Sequence, residues 1–128
     1  MSLLKPTLGD LIDRLAVVEL KIEAIEAAGK SGGNHFRVER DGIRLALYPK
    51  CDIFRHANLP EVAQLAVAHR EMWGLTDRMS RFLDVTPDNA LEVGWIGLQL
   101  FKLNKRRAEL KEAIDRAAGE YQGPEKLS

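Results

Sequence analysis

The sequence has few of the features that identify several common protein classes. It has 128 residues, one cysteine and no excess charge of either sign, since 19 Lys and Arg residues balance 19 Asp and Glu residues. A single cysteine excludes an intramolecular disulfide and a cysteine-rich zinc module. The zero net charge argues against binding of polyanions through bulk charge, although it leaves room for a local basic patch.

The chain also lacks long apolar runs and targeting signals. No stretch approaches the roughly 18 apolar residues of a membrane span, and Lys5 and Pro6 interrupt the opening segment where a signal peptide would be apolar. We therefore expect a cytoplasmic protein with no membrane partner. The length predicts one domain over residues 1–119, followed by a frayed tail at 120–128 that contains Gly123 and Pro124.

What the sequence does contain is helical periodicity in three long segments. Thr7 and Asp10 have the spacing of a capping box, and apolar residues then recur every three or four positions up to Gly29. The second segment runs from about 59 to 83, and the third runs to about 118 with Thr86 as its expected N-cap. We call such a row of apolar residues along one side of a helix its seam. Seams with this spacing are typical of helices packed lengthwise, as in a coiled coil.

The segment at about 35–48 allows two interpretations. Alternating apolar residues on both sides of Asp41 and Gly42 fit a β-hairpin with a two-residue turn. The composition also suits a short helix that Asn34 caps and Pro49 ends. We favour the helix, because the rest of the chain is helical. The sequence thus predicts an all-α fold: an antiparallel helical bundle of three long helices plus this shorter element.

The last predicted helix has a second apolar stripe beside its core seam. The extra apolar residues lie in its first half, where Gly94 and Gly97 would let another helix come close. A helix that is apolar nearly all round is buried on more than one side, by neighbouring helices or by a second subunit. We expect a homodimer or another protein partner here. The candidate interface consists of Leu91, Trp95, Leu98 and Phe101.

Polar residues near the seams suggest two further sites. Arg107 falls on the seam of the last helix, where we expect it to extend to solvent, to pair with a carboxylate such as Glu19 or Glu23, or to fix the helix register. His69 lies beside the seam of the second long helix, and the simplest interpretation is a partly buried histidine that forms one hydrogen bond.

The carboxylates allow an enzymatic alternative. All-α nucleotide pyrophosphohydrolases hold magnesium with acidic pairs one helical turn apart, and this chain has two pairs of that form. The alternative site would comprise Glu23, Glu26, His69, Glu112 and Asp115. Because acidic pairs at this spacing are ordinary on charged helices, we favour solvated helix faces and predict no catalytic residue, no bound metal and no cofactor.

A basic run offers a third interpretation. Five Lys and Arg residues lie between Lys102 and Lys111, and such clusters bind phosphates without base contacts. They spread around the helix, however, and the first helix supplies acidic partners that include Asp10 and Asp13. We expect these charges to be neutralised within the molecule, which makes nucleic-acid binding the less favoured alternative.

Two strings resemble a known kind of protein. The segment LGDLIDRLAVVELKIE, from Leu8, is similar to the opening helix of small uncharacterised bacterial helical proteins, and LNKRRAELKEAID, from Leu103, is similar to their closing helix. The resemblance covers about a third of the chain. It implies a bacterial helical-hairpin domain without an assigned activity, and it transfers no catalytic residue.

Taken together, the residues favour a non-enzymatic interaction or structural module. The alternatives are a small metal-dependent phosphohydrolase-like bundle enzyme and a nucleic-acid-binding protein that uses the Lys102–Lys111 run.

Overall fold

The computed structural model describes residues 6–47 and 59–119, and all four regular elements in these two ranges are helices. They are α1 (Leu8–Ala27), α2 (Asn34–Leu47), α3 (Pro60–Met79) and α4 (Ala90–Ala117). The predicted all-α class is confirmed. The predicted tail at 120–128 and the loop expected around Cys51 lie outside the described residues. No helix in the described ranges is both long and apolar enough to cross a membrane.

The capping box predicted for α1 is present. Thr7 Oγ1 accepts a hydrogen bond from the Asp10 N–H at 3.1 Å, and Asp10 Oδ2 accepts one from the Thr7 N–H at 3.2 Å. At the other end Gly29 takes a left-handed φ of 66°, which lets the Lys30 N–H bond back to Ile25. These contacts fix both ends of α1.

The helix favoured from the sequence at about 35–48 is present as α2, which the structure describes up to Leu47. Ile43 and Leu47, four residues apart, are buried, whereas Val38 and Leu45 are exposed. A hairpin would place these alternating residues on one face. The helical spacing prevails because α2 packs on α1 and buries only its i, i+4 pair.

The predicted N-cap of α4 was wrong. The helix begins at Ala90 with Asn89 as its N-cap, and Thr86 lies in the preceding turn. The Asn89 side chain accepts a hydrogen bond from the Thr86 N–H at 2.8 Å and donates one to the Asp84 carbonyl at 2.8 Å. An Asn side chain that bonds its own local backbone stabilises a turn in place of another helical turn.

The four helices share one core, but they cover α4 unevenly. Helix α3 runs antiparallel to α4, since Arg78 pairs with Glu92 and Gln64 with Arg106. The polar contacts of α1 with α4 join residues 9–13 to residues 107–115, also antiparallel. The core cluster consists of Leu8, Val18, Ile22, Ile43, Leu47, Leu65, Leu110 and Ile114. Of the contacts named in this paragraph, only those from α3 involve the first half of α4, residues 90–103. The side of this half that faces away from α3 is therefore exposed.

Candidate functional site

The candidate interface residues lie on the open half of α4. Leu91 is 91 % exposed, Leu98 50 % and Phe101 69 %. Their spacing of seven and three residues places them on one face, which we call the outer face. Ile96, on the opposite side of the helix, is fully buried against α3. An apolar face of three large side chains is thus in contact with solvent in the single chain.

Trp95, the fourth predicted interface residue, lies at the edge of this face and turns toward α3. It is 49 % exposed, and the Arg78 guanidinium lies 5.6 Å from the centre of its ring. Gly94 and Gly97 adjoin the outer face, and a Cβ added to either would meet no atom within 4 Å. Neither glycine is therefore needed for packing among the residues that the structure describes.

A second site joins three helices through buried polar groups. Asp13 of α1 accepts two hydrogen bonds from the Arg107 guanidinium of α4, at 2.8 and 2.7 Å. His69 Nε2 of α3 lies 2.5 Å from Asp13 Oδ1. The side chains of Asp13 and His69 are each 7 % exposed, and that of Arg107 is 36 % exposed. We call these three residues the polar clamp.

The clamp holds Asp13 in its charged form. Burial favours the neutral carboxylic acid, but the hydrogen bonds and charge of Arg107, together with the bond to His69, outweigh burial and hold the pKa of Asp13 far below its ordinary value. Lys111 extends the network, since its Nζ lies 3.0 Å from Asp10 Oδ1 and 3.9 Å from Asp13 Oδ2. Lys111 likewise helps to lower the pKa of Asp10, against the opposing effect of partial burial.

We expect the clamp to make stability depend on pH. Because the pKa of Asp13 is lowered in the folded state, its contribution is complete above the unfolded value of about 4 and is lost as pH falls below it. The free energy of unfolding, measured by urea titration between pH 7 and pH 2, should therefore decline on the acid side. In Asp13→Asn the decline should be shallower. An unchanged slope would assign the acid sensitivity to other carboxylates.

The sequence predicted this site in part. Arg107 does pair with a carboxylate, but the partner is Asp13, while Glu19 pairs with Arg44 and Glu23 with Arg70. His69 was expected to be partly buried with one hydrogen bond; in the structure it is buried and its Nε2 lies next to Asp13 Oδ1. Asp10 and Asp13 were expected as partners of the basic run, and they hold its last two members. Asp13 bonds Arg107 and His69 at the same time because α1, α3 and α4 cross at this point, and the sequence alone does not give that crossing.

The carboxylates of the enzymatic alternative are not brought together. Glu23 pairs with Arg70, Glu26 with Arg37, and Glu112 with Arg116, all on exposed surfaces. Asp115 is buried and accepts a hydrogen bond from the Gly9 N–H at 2.7 Å. Within residues 6–47 and 59–119, no three His, Cys, Asp or Glu side chains are grouped to hold a metal ion.

The basic run divides among three surfaces. Arg107 and Lys111 face α1, while Lys105 is exposed and forms no ion pair among the residues described. Lys102 and Arg106 line a cleft of 580 Å³ between α3 and α4, together with Trp95 and Arg78. The neutralisation expected from the sequence therefore holds for the residues nearest α1 and does not extend to the cleft.

Comparisons with protein-family models, with curated proteins and with solved structures find nothing that matches this chain.

Proposed function

We propose that the protein is a non-enzymatic helical module that forms a homodimer through the outer face of α4. The observation that carries the proposal is the exposure of Leu91, Leu98 and Phe101 on the side of α4 opposite its buried seam. Isolated apolar side chains are normal on protein surfaces, but a contiguous apolar patch marks an interaction site. This patch continues along α4 for about 15 Å, from the 1.5 Å rise per residue.

A second copy of α4 suits this face when it runs antiparallel to the first. If Gly94 of one copy lies level with Leu98 of the other, the symmetry of the pair repeats the contact at the opposite position. Leu91 then meets Phe101 of the second copy. A leucine side chain over a glycine lets two helix backbones approach closely, and the open space at Gly94 is compatible with such a contact.

Charges at the two ends of the face favour the same arrangement. In this register Lys105 of one copy lies about 4.5 Å beyond the first residue of α4 in the other, on the side of the turn that contains Asp88. Both Lys105 and Asp88 are exposed, and neither forms an ion pair among the described residues. Antiparallel pairing therefore places opposite charges together at both ends of the apolar contact, whereas parallel pairing would place like charges together.

Sedimentation equilibrium of Leu98→Asp tests the proposal. The natural chain should sediment at twice its 14.4 kDa mass. A carboxylate at the centre of the apolar contact should weaken dimerisation at least about 100-fold, because an unpaired charge is costly to bury. The melting temperature at low concentration should change little, since Leu98 is exposed in the single chain.

Leu45→Asp is the matched control. Leu45 is 74 % exposed on α2, away from α4, and the same substitution there should leave the dimer intact. A natural chain that remains monomeric at millimolar concentration, or a Leu98→Asp variant that dimerises as tightly as the natural chain, would contradict the proposal.

Charge exchange tests the register separately. Lys105→Glu and Asp88→Lys should each weaken the dimer by bringing like charges together, and the double variant should regain most of the lost affinity. Two single variants whose effects simply add would reject this antiparallel register. The dimer itself would then need another alignment.

A further inference from the structure

The cleft between α3 and α4 is a second surface with a definite chemistry. Its 580 Å³ volume falls within the range of small-molecule sites. Four basic side chains and one carboxylate line it, so basic side chains outnumber acidic ones in its lining although the chain has no net charge. The charged lining residues are Arg70, Glu71, Arg78, Lys102 and Arg106.

The basic residues of the cleft are only partly neutralised. Arg70 pairs with Glu23 of α1 and Arg78 with Glu92 of α4, in exposed contacts that water screens. Among the residues described, Lys102 forms no ion pair, and the Arg106 guanidinium donates one hydrogen bond, to the neutral Gln64 amide at 3.1 Å. These last two are four residues apart on α4 and therefore lie on the same side of the helix.

An aromatic surface lies at the other end of the cleft. Trp95 is half-exposed there, with the Arg78 guanidinium near its ring. Trp95 and Lys102 are seven residues apart on one face of α4, which separates their Cα atoms by about 10 Å along the helix axis. Gln99 lies between them and offers an amide donor and acceptor. Gly74 of α3 also lines the cleft and leaves space there, since a Cβ added to it would meet no atom within 4 Å.

We propose that this cleft binds a nucleoside phosphate, with the base beside Trp95 and Arg78 and the phosphates at Lys102 and Arg106. Flat bases stack on tryptophan and arginine, and lysine and arginine hold phosphate by charge-assisted hydrogen bonds. A free phosphate would use only the basic end of the cleft, and an uncharged ring only the aromatic end. The site lies beside the proposed dimer contact and does not require it, because its residues come from α3 and α4 of one chain.

Calorimetric titration of the natural chain with ADP, adenosine and inorganic pyrophosphate tests the site. ADP should bind with a dissociation constant at or below about 1 mM. Adenosine and pyrophosphate should each bind at least 10-fold more weakly, since each contacts one end of the cleft. ADP should also quench the fluorescence of Trp95 in a Trp73→Phe background, which removes the only other tryptophan.

Gly74→Leu separates binding from folding. The new side chain would fill the cleft and abolish ADP binding, while leucine in place of a helical glycine should keep or raise the melting temperature. Lys102→Ala should weaken ADP binding at least 10-fold. Lys30→Ala removes the same charge from the exposed segment after α1 and should leave binding unchanged.

Three results would overturn the proposal. One is no binding of ADP at several millimolar, and another is undiminished binding by Gly74→Leu. The third is that pyrophosphate or a single-stranded oligonucleotide binds more tightly than ADP, and that ADP does not displace the bound competitor. The oligomeric state should be measured on the same samples. A failure of ADP binding can then be distinguished from a failure of dimerisation through the outer face.

Discussion

Asp13→Ala is expected to lower the free energy of unfolding by about 3 kcal/mol, the largest effect of any single polar substitution in the described chain. Removing one member of a buried, hydrogen-bonded ion pair costs about 3 to 5 kcal/mol, because the partner is left without a counter-charge. The lower end of that range applies here, since Arg107 is 36 % exposed and regains some hydration. His69, at 7 % exposed, has no such access to water.

This cost is not the net stabilisation that the polar clamp provides. Buried ion pairs replaced by well-packed apolar side chains are often neutral or stabilising, so the clamp contributes mainly by specifying how α1, α3 and α4 pack together. Asp13 bonds both Arg107 and His69, and a shift of α1 by one residue along α4 would break both contacts.

Glu23→Ala is the control for the effect of Asp13. Glu23 is also on α1 and forms a two-bond pair with Arg70, but both side chains are exposed. Its loss should change the free energy of unfolding far less than Asp13→Ala does, because water screens an exposed ion pair. Urea denaturation of both variants gives the comparison. Equal losses for Asp13→Ala and Glu23→Ala would show that the polar clamp does not order the helices.

Gly9→Ala is expected to destabilise the protein by about 1 to 3 kcal/mol, the range for overpacking a close contact. Gly9 lies in the first turn of α1, directly against α4. A Cβ there would lie 2.7 Å from the backbone oxygen of Lys111 and 2.7 Å from Asp115 Oδ1. The backbone oxygen of Lys111 cannot move unless α4 shifts away from α1. Such a shift would lengthen the hydrogen bond that the Gly9 N–H donates to Asp115.

The direction of this change is opposite to that expected from helix propensity. Replacing glycine by alanine inside a helix normally stabilises it by about 0.5 to 1 kcal/mol. Gly42→Ala should show that ordinary gain, because Gly42 is inside α2 and an added Cβ would meet nothing within 4 Å. Thermal unfolding of the two variants should therefore give shifts of opposite sign. A stabilised Gly9→Ala would show that α1 and α4 do not approach this closely.

Periodicity and capping patterns predicted the helices, because both depend on residues close in the sequence. The capping box of Thr7 and Asp10 was found in this way, whereas the helix now seen as α2 was favoured over a hairpin because the rest of the chain is helical. The start of α4 was missed because Asn89 bonds to the Asp84 carbonyl and the Thr86 N–H, a contact that competes with a Thr86 cap. Spacing rules do not rank such competing local bonds.

Contacts between helices were less accessible from the sequence. The second apolar stripe of α4 was evident from its residue spacing, but whether another helix of the chain covers it depends on where α1 ends against α4. The partner of Arg107 also depends on how α1 and α4 pack together. Glu19, Glu23 and Asp13 all lie on α1, and the crossing of the two helices brings Asp13 to Arg107. The cleft was not predicted, because its lining comes from two separate segments.

Hydrogen exchange of α4 at low and high protein concentration tests the central claim most directly, namely that one half of this helix is fixed to α1 while the other half binds a second copy. Amide protection within residues 91–101 should rise with concentration, as the dimer forms over the outer face. Protection within residues 107–115, already packed against α1, should rise much less. Protection of 91–101 that is independent of concentration up to millimolar, or that rises no more than that of 107–115, would contradict this account.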